Sequence, residues 1–284
     1  MGEESDATAG SNLSKVPASE ETPAPPDEDL YEPEDPEQAV ERPSQPMEDE
    51  EMPLADHVEE MIKRLAVVIV IAAVVTLLIL PTADHIINFL WYQILPVAKD
   101  TRPRIYAPLA LVMTKLKVAS LGGLVVALPV MVYETYLFMR PGLYPNERRY
   151  YLAAVPTSLV LAFVGLCFAD FLILPAIFKY FLSYTSSADV GIAFGLTKTF
   201  NLILMMMGVL AIVFQIPLLI MLAIMMGLTT RQWMASKRLY FWGAFAGFAF
   251  LFSPDPTGMA PFLVAITMVG LFEGTLLLLK WTGR

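Results

Sequence analysis

Cysteine, histidine and charge are all scarce in this chain of 284 residues. The one cysteine, Cys167, excludes a disulfide bond within the chain, and its apolar surroundings favour a small packing role. The two histidines, His57 and His85, are far apart and have no cysteine beside them, so no set of metal ligands is visible. Charged residues make up 17% of the chain and hydrophobic residues 56%, a balance typical of a protein that lies largely in a membrane.

Sequence patterns of several enzyme classes are also missing. The chain has no Gly-x-x-x-x-Gly-Lys-Ser/Thr loop for nucleotide phosphates, no His-Glu-x-x-His pair for zinc and no Gly-x-Ser-x-Gly turn for a nucleophilic serine. We therefore expect a protein that is not an enzyme, with no catalytic residue, no bound metal and no cofactor. Nothing in the sequence indicates a nucleic acid partner.

Acidic residues are concentrated at the N-terminus. Residues 1–51 hold 17 of the 28 acidic residues but only 2 of the 19 basic residues, so the rest of the chain is mildly basic. This segment has too few large apolar residues to offset the entropy of ordering. We predict a disordered acidic cytoplasmic tail over residues 1–51 and a membrane domain over residues 52–284. Acidic segments of this kind also solvate the proteins of halophiles. We therefore expect a prokaryotic source, with an archaeon as one option.

The remaining sequence consists of apolar helical runs. A helix needs about 20 apolar residues to cross roughly 30 Å of bilayer hydrocarbon. Pro217 should kink the fourth run, because proline lacks an N–H and clashes with the preceding turn. Residues 83–105 should form an interfacial helix and loop, with Trp91 and Tyr92 at the headgroup level. The predicted fold is an all-α polytopic membrane protein with six transmembrane helices and a short fifth helix, over about 65–82, 109–138, 149–182, 194–227, 240–252 and 259–280.

The positions of basic residues predict that both termini are cytoplasmic. With that orientation, ten lysines and arginines near helix ends lie inside and five lie outside, in agreement with the positive-inside bias. The inner set is Lys63, Arg64, Arg140, Arg148, Arg149, Arg231, Lys237, Arg238, Lys280 and Arg284, and the outer set is Lys99, Arg102, Arg104, Lys179 and Lys198.

A short connection between the second and third runs carries one carboxylate among three arginines. It reads Phe138-Met-Arg-Pro-Gly-Leu-Tyr-Pro-Asn-Glu-Arg-Arg149. Pro141 and Pro145 each fix φ and lack an N–H, so the turn should be stiff and should hold Glu147 in a defined place. The alternative is a basic loop that only fixes orientation.

A second polar motif, Asp56-His-Val-Glu-Glu-Met-Ile-Lys-Arg64, precedes the first run. His57, Glu60 and Arg64 are spaced i, i+3 and i+7, so one helix face carries all three. The alternative is an amphipathic helix in which Glu60 simply pairs with Arg64.

Together these motifs resemble TatC, the polytopic subunit of the twin-arginine protein translocase. The connection matches the family pattern Phe-x-x-Pro-x-Leu-x-x-x-Glu-Arg, and the N-terminal motif matches His-Leu-x-Glu-Leu-Arg-x-Arg with Ile62 in place of the first arginine. Phe214-Gln-Ile-Pro217 resembles Phe-Glu-x-Pro, with an amide in place of the acid. Leu251-Phe-Ser-Pro-Asp-Pro256 resembles Leu-Thr-Pro-Pro-Asp with the aspartate displaced by one position, and Leu271-Phe-Glu273 also fits.

The resemblance implies a receptor that binds twin-arginine signal peptides and organises the export of folded proteins across the cytoplasmic membrane, driven by the proton-motive force. Its expected partners are those signal peptides, the lipid bilayer, single-span subunits of the TatA/TatB type and, as an open possibility, further copies of the chain. The expected signal-peptide-binding residues are Glu60, Glu147, Phe138, His57 and Arg64.

Four polar residues in or between the later runs are further candidates, because polar groups within a membrane are often functional. They are Gln215, Asp170, Glu273 and Asp255. Gln215 could bond a partner helix near the kink, and Asp170 and Glu273 could pair with each other or line a watery cavity. The alternative function is a secondary solute transporter that uses Asp170, Glu134 and Glu273 as coupling acids.

Overall fold

The structure is a computed structural model that describes residues 54–95, 103–186, 193–253, 255 and 257–282. The predicted tail, residues 1–51, lies outside the described residues. The described residues form ten α-helices, and a five-residue π-helical segment, Ala169–Ile173, joins the fourth helix to the fifth. The helices are α1 Leu54–Ile79, α2 Ala83–Ile94, α3 Ala110–Met139, α4 Pro145–Phe168, α5 Leu174–Ser186, α6 Leu196–Val213, α7 Ile216–Met225, α8 Arg231–Ser236, α9 Arg238–Phe252 and α10 Met259–Trp281.

Five continuous helical stretches are long and apolar enough to cross a membrane. They are Asp56–Ile94, Ala110–Gly142, Glu147–Thr185, Leu196–Met225 and Met259–Trp281. These stretches correspond to the first four and the last of the predicted runs, so the prediction of an all-helical fold with membrane-spanning helices is confirmed. The predicted fifth run corresponds to α9, whose 15 residues are fewer than those of any of the five long stretches.

Two prolines explain where the long helices leave regular α geometry. Pro217 has no N–H to bond the carbonyl of Val213, and α6 ends at that residue before α7 begins at Ile216. Pro175 has no N–H for the carbonyl of Phe171, which lies in the π-helical segment. A buried polar side chain lies beside each irregularity, Gln215 at the first and Asp170 at the second.

Helix α2 packs on the bundle instead of lying apart from it. A turn at Leu80–Thr82 leads from α1 into α2, and Trp91 of α2 is 3% exposed and stacks on Phe200 with ring centroids 6.4 Å apart. Trp91 therefore faces the core of the bundle, and its position at the headgroup level stays a prediction. The next residue of this amphipathic helix, Tyr92, is 62% exposed.

Two glycines let neighbouring helices approach closely. A Cβ on Gly123 of α3 would lie 2.6 Å from the carbonyl oxygen of Ala72 in α1, and a Cβ on Gly165 of α4 would lie 2.7 Å from that of Leu210 in α6. The start of α1, the end of α3, the start of α4 and the end of α7 meet at one end of the bundle. A small apolar core underlies that end, formed by Tyr136, Leu143, Tyr151, Ala154, Leu218 and Leu222.

Candidate functional site

A groove of about 550 Å³ lies at the end of the bundle where those four helix termini meet. Glu60 and Glu147 are the acidic residues of its lining, although they are 87 positions apart in the sequence and belong to different helices. Of the predicted binding residues, the groove brings together four and leaves out Arg64, which lies one turn further along α1. The lining consists of His57, Glu60, Phe138, Met139, Pro141, Gly142, Leu143, Tyr144, Glu147, Met226 and Leu228.

The connection before α4 is held in shape by Arg148. Its guanidinium donates from Nε to the carbonyl oxygen of Leu143 at 3.2 Å and from Nη2 to that of Arg140 at 3.0 Å. This arginine is thus occupied with the turn itself, which the sequence alone did not indicate. Arg148 therefore stabilises the turn instead of adding a free positive charge to the groove.

Glu147 closes the first turn of α4. Its Oε2 accepts a hydrogen bond from the backbone N–H of Tyr144 at 3.0 Å, and its own N–H donates to the Tyr144 carbonyl at 2.9 Å. This is the glutamate half of a capping box, which fixes the carboxylate at the helix N-terminus. Among the described residues, Oε1 of Glu147 has no hydrogen-bond donor.

Glu60 belongs to a charged cluster that extends away from the groove. Arg64 donates two hydrogen bonds to Oε1 of Glu60, one from Nε at 3.0 Å and one from Nη2. Its Nη1 donates to Oε2 of Glu134 at 3.2 Å. The Glu60–Arg64 pair is therefore present, as the alternative interpretation of the N-terminal motif predicts. Arg64 is shared between two carboxylates, so the cluster keeps a net negative charge, and Oε2 of Glu60 has no donor among the described residues.

Aromatic and apolar side chains form the rest of the groove. The rings of His57 and Phe138 lie 4.3 Å apart between centroids with a 42° tilt, so the two predicted residues form one surface. Met226 and Leu228 add apolar lining from the segment after α7. An aromatic surface beside two carboxylates suits a flexible cationic side chain with an apolar stem.

Gln215 makes its hydrogen bonds within the bundle. It is buried at the break between α6 and α7, where its Oε1 accepts from the Ser158 hydroxyl at 2.7 Å. Its Nε2 donates to the carbonyl oxygens of Ser158 at 3.2 Å and Ala211 at 3.3 Å. The amide therefore joins α4 to the helix break, and both of its N–H donors are used by described residues of the bundle, while a role toward a partner helix stays a prediction.

Asp170 and Glu273 do not pair with each other. Glu273 of α10 lies 3.3 Å from Nε of Arg238 on α9. Asp170 is 5% exposed, has a buried Oδ1 without a hydrogen-bond partner and lines a second, apolar cavity. The three acids that a transporter would use therefore lie in three different settings, since Glu134 belongs to the Arg64 cluster.

Asp255 organises the turn before α10. Its Oδ1 accepts from the N–H of Thr257 at 2.9 Å and its Oδ2 from the N–H of Ala260 at 2.9 Å, while the Thr257 hydroxyl bonds both oxygens. Burial alone would raise the pKa of the Asp255 carboxyl, but these donors outweigh it and hold that pKa below its usual value. The residue is a helix cap by geometry.

Two lining residues of the groove and one residue beside it are not indicated by the sequence alone. Met226 and Leu228 join it only because α7 ends beside α3, a tertiary contact that no local pattern reveals. Glu134 was recognised as polar, but not as the second partner of Arg64. Its position one turn before Phe138 on α3 was a usable signal, because residues spaced i and i+4 share a helix face.

Comparison with known proteins gives a consistent result. The family model described as Sec-independent protein translocase protein (TatC) matches residues 56–266. The protein named Sec-independent protein translocase protein TatCo in Haloferax volcanii is 59% identical over 82% of this chain, but the match spans only 58% of the relative. The TatC protein of Methanocella arvoryzae is 32% identical over 81% of this chain and 95% of its own length.

The fold also matches a solved structure. A crystal structure described as the twin arginine translocase receptor TatC has a TM-score of 0.69 and 23% identity, covering 80% of this chain and all of the other. At this identity the likeness shows a shared fold. With the family match over most of the membrane domain and the relatives named above, the chain belongs to the TatC family of Sec-independent protein translocase subunits.

Proposed function

We propose that this chain is the membrane receptor of a twin-arginine translocase and that the groove at the ends of α1, α3, α4 and α7 binds the paired arginines of signal peptides. The observation that carries the proposal is the convergence of Glu60 and Glu147 on one groove. The chain would organise the export of folded proteins without bond chemistry of its own.

The chemistry of arginine fits the free groups of the groove. A guanidinium is planar, always charged and able to donate several hydrogen bonds. It therefore binds best to carboxylate oxygens that are held in place and still have room to accept a hydrogen bond. Glu60 and Glu147 each keep one oxygen that accepts no hydrogen bond from the described residues. Two adjacent arginines would each take one of these oxygens, while the surface of His57 and Phe138 contacts a side-chain stem.

The positive charges around the groove explain why recognition must be local. Arg140 and Arg149 are exposed and would repel a cationic peptide that approaches to within the screening length of about 8 Å. Arg64 and Arg148 are already bound to protein acceptors. Short, oriented contacts with the two glutamates therefore have to supply the affinity, and a spacing of the arginines other than adjacent should bind more weakly.

The orientation of the chain in the membrane is also part of the proposal. We propose that the groove and both termini are cytoplasmic, and that α9 forms a sixth span. At about 1.5 Å per residue its 15 residues reach roughly 22 Å, which a locally thinned bilayer accommodates. Single-span subunits of the TatA/TatB type, and further copies of this chain, would contact its lipid-facing helices, and the proton-motive force would drive transport.

Peptide binding by charge-neutral variants tests the proposal. The full chain in lipid nanodiscs would be titrated with a fluorescent signal peptide that carries Arg-Arg and with the same peptide carrying Lys-Lys. Glu147→Gln keeps an acceptor for the Tyr144 N–H, because glutamine also completes a capping box. We expect Glu147→Gln and Glu60→Gln each to weaken Arg-Arg binding by about tenfold or more, since a charge-assisted hydrogen bond contributes about 1.5–3 kcal/mol.

Glu134→Gln is the matched control. It removes a carboxylate from the same arginine, Arg64, but Glu134 does not line the groove. Its affinity for the Arg-Arg peptide should stay within about threefold of the parent, because Arg64 keeps its bonds to Glu60. Unchanged Arg-Arg affinity in both Glu60→Gln and Glu147→Gln would refute the proposed site.

A further inference from the structure

A second cavity, separate from the groove, contains a carboxyl group that has no hydrogen-bond partner among the described residues. The cavity has a volume of about 510 Å³ and lies between α1, α2, α3 and α4. Apart from Asp170 and Cys167, its lining is made of apolar side chains and a glycine. Phe89, Phe163 and Phe171 line it and are 59%, 63% and 61% exposed, so the cavity opens toward the lipid-facing surface of the bundle.

Asp170 is held in this wall by the backbone. It lies in the π-helical segment Ala169–Ile173, and such segments are frequent at functional sites. The residue is 5% exposed, and its Oδ1 is buried without a hydrogen bond. A polar group that is buried without a partner is uncommon in folded proteins and calls for a physical explanation.

Among the described residues, no cation forms an ion pair with Asp170. Asp84 and Lys115 bond each other at 2.7 Å, and Lys117 bonds Asn201. Neither pair lines the cavity, and the titratable side chain that lines it together with Asp170 is the Cys167 thiol. On the helices around the segment, the following titratable groups form no ion pair or hydrogen bond with Asp170 among the described contacts: Asp84, His85 and Tyr92 on α2, Lys115 and Lys117 on α3, Cys167 on α4, Lys179 and Tyr180 on α5 and Lys198 on α6.

We propose that Asp170 is a proton-binding site within the membrane, with its carboxyl group in the neutral, protonated form at neutral pH. An ionised carboxylate in an apolar site without a partner is strongly unfavourable, and a bound proton removes the charge. The inference is independent of peptide binding and of the groove.

Dicyclohexylcarbodiimide, a lipid-soluble reagent for protonated carboxyl groups, tests the site. The carboxyl proton passes to a carbodiimide nitrogen while a carboxyl oxygen bonds the central carbon. Transfer of the acyl group to nitrogen then gives a stable N-acylurea, so the chain gains the mass of one reagent and nothing leaves. In the parent chain in liposomes at neutral pH, peptide mass spectrometry should find Asp170 labelled at least about tenfold faster than Asp84 or Glu147.

A water-soluble carbodiimide separates a lipid-facing site from a hydrated one. It should label Asp84, whose side chain is 54% exposed, faster than Asp170. Preferential labelling of Asp170 by the water-soluble reagent, or labelling by the lipid-soluble reagent no faster than at Asp84, would overturn the proposal.

Infrared spectroscopy gives a second readout that does not depend on reagent access. The carbonyl stretching band of a protonated carboxyl should be present in the parent at neutral pH and absent in Asp170→Asn. Glu273→Gln is the matched control, because Glu273 has a buried oxygen but lies 3.3 Å from Arg238, so its removal should leave the band in place. Identical parent and Asp170→Asn spectra in this region would also contradict the proposal.

Discussion

At the scale of single residues, the carboxyl groups of this chain differ mainly in their hydrogen-bond and ion-pair partners. Asp255 accepts hydrogen bonds from backbone N–H groups, Glu60 shares an arginine with another acid, and Asp170 bonds nothing among the described residues. Residue type alone would give these side chains the same role. Their partners separate a helix cap, a candidate peptide-binding group and a candidate proton site.

Asp255 should make the stability of the chain depend on acidity. Its pKa is lower in the folded chain than the roughly 3.9 of an unfolded aspartate, so its stabilising effect is fully present above that value and is lost as pH falls through the folded pKa. Asp255→Asn should lower stability by about 1–2 kcal/mol near neutral pH, since the amide has only one acceptor oxygen and leaves a hydrogen-bond donor without its partner. Thermal unfolding in detergent, followed from about pH 6 down to about pH 3, measures both effects.

Asp84→Asn is the control for removing an aspartate, because Asp84 is exposed and forms a surface pair with Lys115. Its unfolding temperature near neutral pH should stay close to that of the parent. Equal acid sensitivity of the parent and Asp255→Asn would contradict the capping role.

At the scale of elements, helix contacts fix the positions of the polar groups. Gly165 brings α4 against α6, and the buried bonds of Gln215 to Ser158 hold the α6–α7 break to the same helix. The end of α7, which contributes to the groove, is therefore positioned by packing some distance away. Disturbing this contact should alter the groove without touching its residues.

Gly165→Ala should destabilise the chain. The added Cβ would lie 2.7 Å from the Leu210 carbonyl oxygen and 3.1 Å from the Cα of Ala211, which are backbone atoms that cannot rotate away. Overpacking of this kind costs about 1–3 kcal/mol. Thermal unfolding in detergent is the measurement. Gly243→Ala in α9 is the matched control, because no atom lies within 4 Å of its added Cβ, and it should be neutral or slightly stabilising.

Arg148→Lys should loosen the turn that presents Glu147. A lysine carries one ammonium group and lacks the fork that bonds the Leu143 and Arg140 carbonyls together. Affinity for the Arg-Arg peptide in the binding assay should fall about three- to tenfold although both glutamates remain. The exposed Arg149→Lys should bind like the parent, and equal affinities of the two variants would argue against the role of Arg148.

The sequence predicts the helical elements better than their contacts. Apolar runs locate the long helices because a bilayer requires length and hydrophobicity, both of which are local properties. The convergence of Glu60 and Glu147 was a hypothesis from family motifs, and packing of four helix ends places both in one groove. Gln215 and Ser158, 57 positions apart, carry no local signal of their pairing. The burial of Trp91 and the isolation of Asp170 likewise depend on neighbours that no window of sequence contains.

At the scale of the whole molecule, charge is divided between two regions. Residues 1–51 carry most of the acidic side chains, whereas the membrane domain is mildly basic. Salt screens exposed charges over about 8 Å at physiological ionic strength, so we expect the acidic segment to add less to recognition than the direct contacts in the groove. The receptor function should therefore reside in the helical domain.

Deletion of residues 1–51 tests this division. The shortened chain should bind the Arg-Arg peptide within about twofold of the parent at about 0.15 M salt, and the difference should shrink further as salt rises. The same titration in nanodiscs provides the measurement. Affinity that falls about tenfold at that salt concentration would place part of the recognition in the acidic segment.

The most direct measurement of the central claim is photo-crosslinking from within the groove. A photoreactive phenylalanine derivative at position 138 preserves the aromatic surface beside His57. We predict that it crosslinks the Arg-Arg signal peptide in the parent background, and that the yield falls severalfold with a Lys-Lys peptide or with Glu60→Gln and Glu147→Gln combined. Equal crosslinking of both peptides, unaffected by loss of the two carboxylates, would contradict the account.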